Sequence, residues 1–107
     1  MGSVETGEQP IDAAHRELRE EGGYDASVLE PLGQIHALNG LTNMVIHLFL
    51  ATGLQLSSNG VLDASEYGLT AHWISIEEWS AMIRRGEIQD SDTLAAWTVY
   101  REREKNM

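Results

Sequence analysis

Apolar residues fall at Ile11, Ala14 and Leu18, at i, i+3 and i+7, which lines one face of an α-helix. Pro10 suits the first turn of that helix, where its missing N–H is no loss. Gly22-Gly23 predicts a left-handed cap that ends it. The residues ahead of it, Met1-Gly2-Ser3-Val4-Glu5-Thr6-Gly7-Glu8, read as a loop. Two strand-like runs follow, Leu32 to Ala37 and Asn43 to Thr52, the second rich in Val, Ile, Leu and Phe and bounded by Asn39-Gly40 and Gly53. From Gly53 the chain runs into Ser57-Ser58-Asn59-Gly60, a turn cluster expected to close a hairpin. A further short strand is predicted over Leu69 to Ile74. Ser75-Ile76-Glu77-Glu78 has the Ser-x-x-Glu form of a capping box, so a helix should run from Ile76 to about Arg85, with Gly86 ending it. A last helix starts near Ser91 or Asp92 and carries Leu94, Trp97, Thr98 and the mixed-charge run Arg101-Glu102-Arg103-Glu104-Lys105. The order of loop, helix, strands, helix and helix lacks a regular βαβ alternation and predicts an α+β fold, a mixed sheet flanked by helices.

Composition narrows this picture. A length of 107 residues predicts a single domain, and 42% hydrophobic residues with only 2 Pro describe a globular chain, not a disordered acidic tail. Against 17 Asp plus Glu stand 7 Lys plus Arg, a formal net charge of −10 that argues against a nucleic-acid partner, since such binding rests on cations neutralising phosphates. With 0 Cys, a disulfide framework, a thiolate zinc site and a cysteine nucleophile are excluded. The longest apolar stretch, Met44 to Ala51, is interrupted by His47 and falls short of the roughly 18 residues that span a bilayer. It reads as a buried strand. No basic, apolar leader is present, and the expectation is a soluble cytoplasmic protein without membrane contact.

The chemically loaded stretch is Arg16-Glu17-Leu18-Arg19-Glu20-Glu21. Glu17, Glu20 and Glu21 at i, i+3 and i+4 place three mutually repelling carboxylates on one helix face. Two of them lie in the last turn before Gly22, where the negative end of the helix dipole disfavours anions by a few tenths to about 1 kcal/mol each. Helix ends rich in Glu are ordinarily solvated faces, and Arg16 with Glu20 has the spacing of a common surface pair. An arrangement that works against its own helix also invites a cation, and an all-oxygen ligand set suits Mg²⁺ or Mn²⁺.

The wider spacing decides between these. Gly2, five residues, Glu8, seven residues, then Arg16-Glu17-Leu18-Arg19-Glu20-Glu21-Gly22-Gly23-Tyr24 resembles the Nudix box, G-x5-E-x7-R-E-U-x-E-E-x-G-U with U apolar, at every specified position when Tyr24 is taken as the final U. The box spans residues 2–24 of a single short domain, 1–107. The resemblance implies a Nudix-type α/β/α sandwich and hydrolysis of a nucleoside diphosphate linked to another group. It implies Glu17, Glu20, Glu21 and the Gly2 carbonyl as the metal site, Glu17 and Glu20 as catalytic carboxylates, Glu8 as a support of that site, and Arg16 as the group that orients a neighbouring glutamate. The implied cofactor is Mg²⁺ or Mn²⁺.

Beyond the box, Val45-Ile46-His47-Leu48-Phe49-Leu50-Ala51 with Gly53-Leu54 is similar to the strand after the box in ADP-sugar pyrophosphatases. His72-Trp73-Ile74-Ser75, Met82-Ile83, Gly86-Glu87-Ile88, Asp92 and Thr93-Leu94-Ala95 resemble the end of that subfamily's domain. In the subfamily a second catalytic glutamate lies before the last strand, where Glu66 stands here. Asn39 occupies the place where ADP-ribose enzymes carry a proline, a departure that points away from ADP-ribose itself. Relatives also place strands ahead of the box, where this chain has one residue. The expectation is therefore a homodimer whose partner completes the sheet, because exposed strand edges invite pairing. The alternative is a catalytically impaired Nudix-fold binding or assembly module that keeps the metal motif.

The remaining chemistry-bearing residues support no other site. His15, His36, His47 and His72 share no ligand spacing. Trp73, Trp79 and Trp97 read as core anchors, with Trp73 also a candidate neighbour of the substrate. Ser57, Ser58 and Ser91 have no paired base, so serine nucleophile chemistry has no support.

Overall fold

The computed structural model of the protein describes residues 4–37, 40–57 and 72–105. Expectations placed on Gly2, Asn39, Ser58 to Gly60, Glu66 and Leu69 to Ala71 lie outside the described residues. The elements in order are α1 (Pro10–Glu17), a π-helical turn (Leu18–Gly22), β1 (Tyr24–His36), β2 (Val45–Leu56), α2 (Ile76–Arg84) and α3 (Ser91–Glu104). Helix and strand are mixed, and the antiparallel sheet is flanked along the chain by one helix before it and two after it. This is the α+β class that the order of signals predicted.

The chain divides into two compact units, Met1–Pro31 with Phe49–Ala71, and Leu32–Leu48 with His72–Met107. In the first unit Pro10 opens α1 and Ala13 is buried. The helix changes hydrogen-bonding pattern at Leu18, and the π-helical turn ends at Gly23, whose φ of 79° and ψ of 15° are left-handed. Gly23 is the cap that the double glycine predicted, because only a residue without Cβ takes this conformation freely. The chain passes from it straight into β1. Strand β1 therefore begins eight residues earlier than the predicted run from Leu32, through Asp25, Ala26 and Ser27, which pair against the second half of β2. The Ser57 amide donates to the Gly23 carbonyl at 3.0 Å, and the Ser27 hydroxyl donates to the Gly53 carbonyl at 3.1 Å. β2 likewise continues past Thr52 to Leu56, so Gly53 lies within a strand and does not begin a turn.

In the second unit the Ala37 amide donates to the Met44 carbonyl at 3.1 Å, so the hairpin closes between them, in the stretch that holds Gly40 at a φ of 90°. The apolar run expected to be a buried strand supplies both faces of β2. The described residues bury it at Leu48 alone; His47 and Met44 are exposed. Leu32 is buried on β1. Of the strand expected over Leu69 to Ile74, the described part, His72 to Ile74, forms no regular element.

α2 and α3 are capped by side chains. The Ser75 hydroxyl accepts from the Glu78 amide at 3.1 Å, the half of the capping box that satisfies the helix, while the Glu78 carboxylate accepts from Arg85 at 3.1 Å. Asp90 accepts from the amide and the hydroxyl of Thr93 at 2.9 and 2.6 Å. Trp79 and Trp97 meet edge to face at 6.1 Å, and the Arg101 guanidinium lies 5.4 Å from the Trp97 ring centre. The two tryptophans pack on each other but are only half-buried, short of the core anchors expected, and Trp73 is 75% exposed.

Candidate active site

The carboxylate-rich segment is organised by Arg16, on the last turn of α1. Its guanidinium forks the Glu8 carboxylate, Nε to Oε2 at 3.0 Å and Nη2 to Oε1 at 3.1 Å. Nη1 donates to Glu17 at 2.8 Å and to Glu20 at 3.3 Å, and lies 3.9 Å from Glu5. A planar guanidinium has the fixed donor geometry to serve several carboxylates at once. The loop is built for this: Glu5 and Glu8 close a turn through the Glu8 amide and the Glu5 carbonyl, at 3.0 Å, and the Glu5 amide donates back to Glu8 Oε1, also at 3.0 Å. The pair Arg16–Glu20, which its spacing alone described as a surface contact, is thus one arm of a four-carboxylate network.

The charges respond to this arrangement. The Arg16 fork, joined by the Glu5 amide, holds the Glu8 carboxyl below its usual range. The same fork, in which Glu8 accepts, pushes the Arg16 guanidinium up. Glu17 moves upward despite its bond to Arg16, because burial opposes its charge and the neighbouring Glu21 adds like charge and a shared hydrogen bond. Like charges crowded at one place mark a position where positive charge is favoured.

The π-helical turn carries Glu20 and Glu21. Wider i→i+5 bonding is rare and is found mostly at functional positions. It changes the angular offset between Glu17 and the two later glutamates from the regular helix that the spacing assumed. The carboxylates of Glu17, Glu20 and Glu21 are hard oxygen donors of the kind that could hold Mg²⁺ or Mn²⁺. Among the described residues no three such side chains are grouped as a metal site; Arg16 Nη1 instead bonds both Glu17 and Glu20. Of the expected site residues, the structure brings together Glu8, Arg16, Glu17, Glu20 and Glu21. Gly2 and Glu66 lie outside the described residues.

Three participants were not expected from the sequence. Glu5 closes the loop under Glu8, Asp25 accepts from Arg19 at 2.8 Å across the glycine cap, and Ser57 reaches the Gly23 carbonyl through its hydroxyl at 3.3 Å as well as its amide. Only the Arg19–Asp25 pair left a trace, as opposite charges on either side of Gly22-Gly23; the Ser57 contact joins residues 34 positions apart. The four histidines take no part, and His36, His47 and His72 are exposed. Among the described residues no helix is long and apolar enough to cross a membrane.

Comparison with known proteins agrees with this geometry. The family model for the NUDIX domain matches residues 1–97. The chain is 35% identical over 89 residues to an ADP-ribose pyrophosphatase of Mycobacterium tuberculosis, covering 83% of this chain and 43% of that protein. It is 31% identical over 96 residues to an ADP-ribose pyrophosphatase of Bacillus subtilis, covering 89% and 51%. It is 34% identical over 96 residues to a methanol dehydrogenase activator of Bacillus methanolicus, again covering 89% and 51%. The chain spans about half the length of these curated relatives. A box helix whose arginine gathers its glutamates, and a family match over residues 1–97, establish that the chain belongs to the Nudix family.

Proposed function

We propose that residues 1–107 act as one cytoplasmic Nudix domain that hydrolyses a nucleoside diphosphate linked to another moiety, with Mg²⁺ or Mn²⁺ held by Glu17, Glu20, Glu21 and the Gly2 carbonyl. The observation that carries this reading is the Arg16 network, which presents the box carboxylates from one short segment. The chemistry supplied by a bound divalent ion is neutralisation of the diphosphate, polarisation of a phosphorus–oxygen bond and acidification of the attacking water. Arg16 orients Glu17 and Glu20, Glu8 holds Arg16 in place, and Glu17 or Glu20, or Glu66, takes the proton from water. An ADP-sugar-like substrate fits the resemblance and the relatives' names, with Asn39 standing against ADP-ribose itself.

The homodimer belongs to the same proposal. Among the described residues the sheet has two strands, β1 and β2, and a two-stranded sheet is marginal by itself, which a second copy of the chain would relieve. A strictly monomeric species by light scattering at micromolar concentration overturns this part.

The test of the activity is hydrolysis of a panel of nucleotide sugars and dinucleotides with Mg²⁺, comparing wild type with Glu20→Gln. Turnover that needs the metal and is lost in the variant supports the proposal; a folded sample that turns over no panel member overturns it. The relative named as a methanol dehydrogenase activator favours one second reading, a Nudix-fold module that binds a nucleotide or a partner without turnover. Calorimetry showing tight binding with no product selects it.

A further inference from the structure

The π-helical turn that carries Glu20 and Glu21 is joined to the sheet through the backbone of Gly23 and by the Arg19–Asp25 ion pair. The Gly23 amide donates back into the turn, to the Arg19 carbonyl at 3.0 Å, and its carbonyl accepts from Ser57 twice, from the amide at 3.0 Å and from the hydroxyl at 3.3 Å. Gly23 is buried, and Ser57 is 7% exposed, the only buried polar side chain among the described residues. Ser57 follows the last residue of β2. The orientation of the Gly23 peptide sets where the preceding residues 20–22 lie, since a left-handed glycine can swing freely unless both of its polar groups are held.

We infer that Ser57 is a positioning residue for the metal-binding carboxylates: its hydroxyl and amide clamp the Gly23 carbonyl and thereby fix Glu20 and Glu21. This rests on the reading of those glutamates as metal ligands. Groups that orient ligands from behind matter to metal affinity nearly as much as the ligands do. The serine is used for its hydroxyl in a way unconnected with nucleophilic chemistry, which needs a neighbouring base that Ser57 lacks in sequence.

The hairpin contains its own control. Ser27 makes the same kind of bond, hydroxyl to a glycine carbonyl, with Gly53 at 3.1 Å, and has no bond to the box turn. Ser57→Ala should weaken Mn²⁺ binding, measured by calorimetry well below the melting temperature, by roughly tenfold. Ser27→Ala should leave it unchanged, and Ser57→Thr should restore it. Amide exchange at Gly23 should speed up in Ser57→Ala and not in Ser27→Ala, a readout that needs no metal. Equal Mn²⁺ affinity in Ser57→Ala and wild type overturns the clamp while leaving the metal reading intact, and equal losses in both serine variants overturn it as general loosening of the hairpin. A wild type that binds no Mn²⁺ overturns the metal reading and this inference with it, whatever the exchange rates show.

Discussion

Arg16 holds Glu8 by two parallel bonds, Nε to Oε2 at 3.0 Å and Nη2 to Oε1 at 3.1 Å, across seven intervening residues. That fork ties the loop before α1 to the end of the helix, while Nη1 faces Glu17 and Glu20. Bidentate geometry is a property of guanidinium that a lysine ammonium does not share.

Arg16→Lys therefore keeps the charge and loses the arrangement. One ammonium cannot fork Glu8 while reaching Glu17, so the carboxylates lose their common orienting group. The expected result is a fall in Mn²⁺ affinity of roughly tenfold or more, by calorimetry, in a variant that still folds. Glu8→Gln should act in the same direction, since the amide it introduces accepts through one oxygen only. Wild-type affinity in Arg16→Lys would show that the network does not organise the metal ligands.

Glu17 makes the metal-free protein sensitive to pH. Burial and Glu21 raise its carboxyl above the unfolded value, so the folded state keeps a proton that the unfolded chain has released. Its contribution to stability is present below the ordinary carboxylate range and is lost as pH rises through the raised value. A divalent ion needs the ionised carboxylate, so metal binding should release a proton and weaken as pH falls through that window. Thermal midpoints of wild type and Glu17→Gln, followed against pH without metal, should diverge in this sense, because glutamine does not titrate. Parallel curves would remove Glu17 as the titrating group.

Asp90 behaves in the opposite way. Its bonds from the Thr93 hydroxyl and amide hold its carboxyl below the usual range, so its stabilisation of α3 is present above the ordinary carboxylate pKa and is lost as pH falls through the lowered one. Asp90→Ala should lower the melting midpoint at neutral pH by about 5 °C, the scale of one lost cap in a small domain. Asp90→Asn should keep the cap and lose the acid dependence. Equal acid dependence in wild type and Asp90→Asn would show that the carboxylate's charge is not what Thr93 holds.

The ends of the helices were legible because their signals are local. Ser75 with Glu78, Gly86 and Gly22-Gly23 lie within a few residues of the bonds they make, and the box glutamates and Arg16 lie within one helix and its approach. Three features were not legible, each for a physical reason. The switch to a π-helical turn at Leu18 changes hydrogen-bond partners without changing any residue type. The early start of β1 is hidden by Asp25 and Ser27, whose extended conformation comes from pairing with the far half of β2. The clamp of Ser57 on Gly23 is a contact across the hairpin, and the register that creates it is fixed by the whole length of both strands.

Gly53 shows that register at its tightest. Its φ is +64°, and a Cβ built there would lie 2.7 Å from Ser27 Cβ and 2.8 Å from Ser27 Oγ. An alanine meets two separate penalties, a left-handed backbone that costs roughly 1–2 kcal/mol and a clash with the side chain that bonds the Gly53 carbonyl. Gly53→Ala should therefore destabilise the protein by more than the backbone cost alone, measured by urea unfolding. Ser27→Gly removes the obstructing atoms, so the double variant should recover the steric part and retain the backbone part, giving a coupling between neighbours that distant sites do not show. Strict additivity of the two substitutions would mean that Ser27 does not abut residue 53, and that the pairing of β1 with β2 differs at this point.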